Sequence, residues 1–137
     1  MLLDGIAQEA RLIDNPGMNF RNAKSVLVKK ALIVFKKGSP VTAYKFTSFE
    51  DPANTVKTRL PSLPSNDHLE AFSVCKLTNN KKVILSGGQD VSGLKKSAKV
   101  HSLDTSKWKW QSLPDLNFSR FNHSSTCLGD AIYVACG

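Results

Sequence analysis

The sequence predicts an all-β chain of repeated antiparallel units, four short strands to a unit, and three observations lead there. Its apolar residues, rich in valine, isoleucine and leucine, fall in short runs bounded by Gly, Asn, Asp, Ser or Pro, the punctuation of strands and turns. One such run recurs: Ile33-Val34-Phe35-Lys36-Lys37-Gly38, Val83-Ile84-Leu85-Ser86-Gly87-Gly88 and Ile132-Tyr133-Val134-Ala135-Cys136-Gly137, at offsets of 50 and 49 residues. A second element, Leu60-Pro61-Ser62-Leu63, returns as Leu113-Pro114-Asp115-Leu116. A period of this length is the mark of a repeat architecture.

Residues 2–13 set Leu2, Leu3, Ile6, Ala10 and Ile13 near helical spacing, and Asn15-Pro16-Gly17 stops the segment. The reading is a short amphipathic helix within an N-terminal segment, 1–23. A frayed tail is the alternative, since about three turns are marginal without packing. From Lys24 each unit opens with a hairpin. Ser25 to Val28 precedes the turn at Lys29-Lys30, Ser73 to Leu77 precedes Asn79-Asn80, and Ser124 to Leu128 precedes Gly129-Asp130. Two further strands follow, clearest in the second unit at Ala98 to Leu103 and Lys107 to Ser112. Units then fall at roughly 24–71 and 72–123, with a half unit at 124–137. Four strands in about 50 residues is the size of one β-propeller blade.

At Gly87 to Gly137 the residues resemble the kelch repeat. Its pattern reads here as Gly87-Gly88, Val100 to Leu103-Asp104, Trp110, Leu113-Pro114, Arg120-Phe121-Asn122-His123-Ser124, Gly129-Asp130 and Ile132-Tyr133-Val134. The resemblance implies an incomplete kelch-type propeller of four-stranded antiparallel blades. The paired glycines suit positive φ and close backbone approach. Trp110 and Tyr133 suit burial between blades with their polar tips bonded, and Arg120 suits the carbonyls of an inter-blade turn. The other copies are degenerate: Lys37 and Cys136 stand where Gly87 stands, Lys57 where Trp110 stands, and the second unit reaches its hairpin through Leu69 to Phe72 without an Arg-x-x-His.

A net charge of +8 raises nucleic acid or an anionic surface as partners. The lysines, however, come as dispersed pairs at strand ends and turns, Lys29-Lys30, Lys36-Lys37, Lys81-Lys82 and Lys95-Lys96, rather than along one face. That pattern reads as solvated turn charge and argues against nucleic acid. The segment Trp108 to Trp110 alternates with Lys107 and Lys109; on a strand it places both rings on one face, which is a core pattern before it is a stacking platform. Cys75, Cys127 and Cys136 lack C-x-x-C spacing and read as reduced, mostly buried thiols. No apolar run reaches a membrane span, Asp4, Glu9 and Arg11 interrupt any leader-like run, and a cytoplasmic location is expected.

Catalytic, metal and cofactor sites are not expected. His123 is explained by its place in the repeat, His68 and His101 lack acidic or cysteine partners and read as exposed, and Gly87-Gly88 is not followed by a phosphate-binding helix. The expected function is therefore non-catalytic protein recognition by an adaptor or scaffold. A fragment of a propeller oxidase or isomerase is the runner-up, and a basic nucleic-acid surface is the third reading. In the family the partner meets a rim of loops, which here are Gln89 to Ser97, Pro64 to Glu70 and Asn117 to Asn122. The contact residues this implies are Asp67, His68, Asp90, Lys95, Lys96 and Arg120, and an acidic peptide would suit the lysines. Because the last unit stops mid-repeat, the chain is expected to be cut from a longer propeller, and its open blade edges invite self-association.

Overall fold

A computed structural model describes residues 23–28, 31–48, 51–65, 67–77 and 81–137. The expected N-terminal helix lies outside these residues. Among the described residues ten strands form three sheets. The first contains β1 (Lys24–Val28), β2 (Ala31–Lys36), β3 (Thr42–Thr47) and β4 (Val56–Leu60), paired in chain order. The second repeats that meander with β5 (Ser73–Leu77), β6 (Lys82–Ser86), β7 (Val100–Asp104) and β8 (Lys109–Leu113). The third is the hairpin β9 (Ser124–Leu128) and β10 (Ala131–Ala135). All neighbouring pairs are antiparallel.

Successive sheets meet through their first strands: β1 packs beside β5, and β5 beside β9. Strict alternation along each second strand serves this stacking. On β2, Ile33 and Phe35 enter a core shared with the second sheet, while Leu32 and Val34 join Phe46 in a separate cluster. On β6, Val83 and Leu85 point back into the shared core, and Ile84 joins Cys75, Leu77 and Val100 in a cluster that Cys127 and Ile132 of the hairpin complete.

The pairing register also aligns the units. Leu103 pairs with Trp110 and Phe46 with Lys57, so Lys57 occupies the Trp110 position of the first sheet. Lys57 spends its charge there over the Tyr44 ring, 4.4 Å from the centroid. Trp110 itself is half-buried between the sheets. Its ring meets Phe35 edge-on at 6.0 Å, and its indole N–H donates to the Pro61 carbonyl at 2.8 Å.

Three expectations are corrected. Trp108 is not on a strand: it sits in the β7–β8 turn with φ of 54°, its N–H donating to the Asp104 carbonyl. The turn, rather than alternation, brings its ring onto the shared core against which Trp110 also packs. His101 is buried, at 6% exposure, since it shares the Leu103 face of a central strand and its ring meets Trp110 edge-on, and His68 is half-buried. Tyr133 is 56% exposed rather than buried, because no described residue packs over that side of β10.

Candidate functional site

The repeat residues build the joints that hold the rim in place. Gly87 adopts φ of 64° and Gly88 of 110°, values that L side chains seldom take. A Cβ on Gly87 would lie 2.5 Å from both the Arg120 carbonyl oxygen and His123 Cε1, so only glycine lets the third unit approach this closely. His123 is buried, with Nε2 3.0 Å from the Ser86 hydroxyl. Arg120 Nη1 donates to the Cys136 carbonyl at 3.0 Å, and Cys136 reproduces the Gly87 conformation with φ of 67°. Asp104 closes the β7–β8 turn: its Oδ1 accepts from the N–H groups of Ser106 and Lys107, and those bonds hold its carboxyl below the usual carboxylate range.

Two loops of the second unit meet above this frame. The β6–β7 loop is tied by Asp90, whose Oδ1 accepts from the Ser92 hydroxyl at 2.8 Å and the Lys95 N–H at 3.2 Å. The same bonds keep Asp90 ionised by holding its pKa low. The connection from the first sheet is joined to this loop by reciprocal backbone bonds between Glu70 and Gln89, both 2.9 Å. Upstream, Asp67 turns back on Ser65 through bonds of 3.2 Å from the Ser65 hydroxyl and the Asp67 N–H.

Between the loops lies a cleft of about 520 Å³, lined by Asp67, His68, Asp90, Lys95, Lys96, Lys99 and His101 among others. Five of the six residues expected to contact a partner thus come together, and Arg120 stands outside, engaged at the neighbouring joint. Lys99 bonds the Asp115 carboxylate at 3.1 Å and Lys96 lies over the Phe121 ring at 5.1 Å. The imidazoles are unusual: His68 Nε2 and His101 Nδ1 are buried without a hydrogen-bond partner. Burial, then the Lys99 charge, holds His101 below the ordinary histidine value, against the pull of Asp115, so the ring is neutral at neutral pH.

Lys99 and His101 were not among the expected contacts. His101 was legible in principle, since it stands two residues before the apolar Leu103 and so on the same strand face. Lys99 follows only from the loop's closure. Among the described residues no helix is long and apolar enough to cross a membrane, and no three His, Cys, Asp or Glu side chains come together as a metal cluster.

Two four-stranded antiparallel meanders and a hairpin, stacked about their first strands and not closed, make this an incomplete β-propeller-like fold. The chain is similar to the solved structure reported as "Structure of YjhT", with a TM-score of 0.66 and 15% identity. The match covers 88% of this chain and 39% of that one, and at this identity it shows the fold alone. No protein-family model matches the chain, and neither does any curated protein.

Proposed function

We propose that the chain is a non-catalytic, kelch-type recognition module that takes an acidic segment of a protein partner at the rim of its second blade. The observation that carries this reading is the convergence of Lys95, Lys96 and Lys99 on one cleft between two loops that backbone bonds hold together. Lys95 is exposed on a loop held by the Asp90 bonds, so a carboxylate entering the cleft gains charge-assisted bonds at little ordering expense in the loops. The kelch assignment is supported by the roles of Gly87, Arg120 and His123 at the joint between units.

Panning a displayed peptide library on the full chain tests this. Enrichment of acidic peptides, lost in the double charge reversal Lys95→Glu/Lys96→Glu, is the expected result. Failure to enrich any peptide, together with nucleic-acid binding that collapses steeply between low and moderate salt, would transfer the cleft to the nucleic-acid reading. The enzyme reading has one observation on its side, the two histidines of the cleft. Among the described residues no carboxylate bonds to His68 Nε2 or His101 Nδ1 to orient the ring as a general base.

A further inference from the structure

The cysteines take no part in the rim cleft, yet two of them meet where β5 packs on β9. Cys75 is buried on β5, Cys127 is half-buried on β9, and their sulfurs are 2.7 Å apart. A second contact fixes the same alignment: the Ser73 and Ser125 hydroxyls, one pleat repeat away on the same strands, are 2.6 Å apart. Both pairs are separated by 52 residues, so they report one stagger of the two strands. A disulfide bond is about 2.05 Å long, so bond formation asks for a sulfur movement well under about 1 Å. Cys136 stands apart and exposed.

We propose that Cys75 and Cys127 are an oxidisable pair, a cross-linking site that joins the second blade covalently to the hairpin after it. With a low-molecular-weight disulfide such as glutathione disulfide as oxidant, the more accessible Cys127 thiolate attacks one glutathione sulfur. The glutathione S–S bond breaks and one glutathione thiolate leaves. Cys75, after losing its proton to solvent, attacks the Cys127 sulfur of the mixed disulfide and expels the second glutathione. The two cysteines lose two electrons and two protons in all, and glutathione disulfide is reduced to two glutathiones. Burial and the neighbouring Cys75 push the Cys127 thiol up to about 12, so thiolate is scarce near neutrality. The cross-link therefore forms faster as pH rises.

The test uses the full chain carrying Cys136→Ser, treated with glutathione disulfide at about pH 8. Expected are loss of both remaining thiols, an intact mass lower by about 2 Da, and a digest peptide joining Cys75 to Cys127. Tm should rise by at least about 5 °C and fall back on reduction, because the bond closes a long loop of the unfolded chain. Adding Cys75→Ser should stop the reaction at a glutathione adduct on Cys127, with no rise in Tm. Two retained thiols after prolonged treatment, or glutathione on both cysteines without a link, would overturn the proposal. So would a link that forms as quickly in concentrated urea as in buffer, since the fold would then not be what brings the sulfurs together.

Discussion

Between the first and second sheets the junction is filled by large apolar groups: Ile33, Phe35, Leu63, Leu69, Phe72, Val83 and Leu85, with both tryptophans closing its outer side. Between the second sheet and the hairpin the junction is smaller and more polar: beside the apolar cluster of Cys75, Leu77, Ile84 and Val100 with Cys127 and Ile132 it has Gly87, the Ser86–His123 and Ser73–Ser125 contacts, and the Arg120 bond to the Cys136 carbonyl. The same backbone unit is joined in two ways. In one, adhesion comes from apolar area and tolerates imperfect polar geometry. In the other, a smaller apolar cluster is joined by close approach and hydrogen bonds, which fail if the approach is blocked. The sequence differences follow suit. Phe72 holds the place before β5 that His123 holds before β9, and Lys37 replaces the first glycine.

Breaking the apolar junction should have the largest effect. Phe35→Ala removes a fully buried ring that also supports Trp110, and a loss of about 3–5 kcal/mol in urea unfolding is expected. Tryptophan emission should shift to the red in the same experiment, because Trp110 loses its edge-on partner. Blocking the polar junction comes next. Gly87→Ala places a methyl 2.5 Å from a backbone oxygen at positive φ, and roughly 2–4 kcal/mol should be lost, with greater hydrogen exchange in β9 and β10 than in β2 and β3.

A smaller effect separates the junctions by pH. Burial, with Arg120 and Lys24 adding to it, holds His123 below its ordinary value of 6.5. The unfolded chain then binds more protons than the folded one as pH falls below that value. This contribution to stability is therefore complete above about pH 6.5 and is lost as pH drops through the window beneath it. His101 adds to the same slope. His123→Gln should cost about 1–2 kcal/mol at pH 7.5 and flatten part of the acid-side decline. An unchanged pH profile would show that His123 is not buried in neutral form. Least affected should be Lys37→Ala. Its 3.0 Å ion pair with Glu70 lies at partly exposed positions, so the smallest stability loss of the set is expected in urea unfolding, and it should shrink as salt is added.

The hairpins were legible because their signal is local. Period-2 apolar runs and turn residues specify β5–β6 and β9–β10 within a residue or so of the observed strands. The later strands were displaced, Val100–Asp104 against Ala98 to Leu103 and Lys109–Leu113 against Lys107 to Ser112, because the Asp104 turn captures residues 105–108 and their backbone bonds. Of the cleft, the loop residues could be named from the repeat, whereas Lys99 joins them only through the closure of the β6–β7 loop.

The sequence by itself determined that this chain is all-β, that it is built of four-stranded units, and that Gly87-Gly88 suits positive φ and close backbone approach. Those properties rest on alternation and spacing within about 50 residues. Only the tertiary structure decided which strand faces are covered, that Trp108 and Trp110 share a core, that Asp67, His68, Asp90, Lys95 and Lys96 border one cleft, and that Cys75 faces Cys127. The reason is geometric: each depends on the stagger of one unit against the next, which no local pattern in the chain encodes.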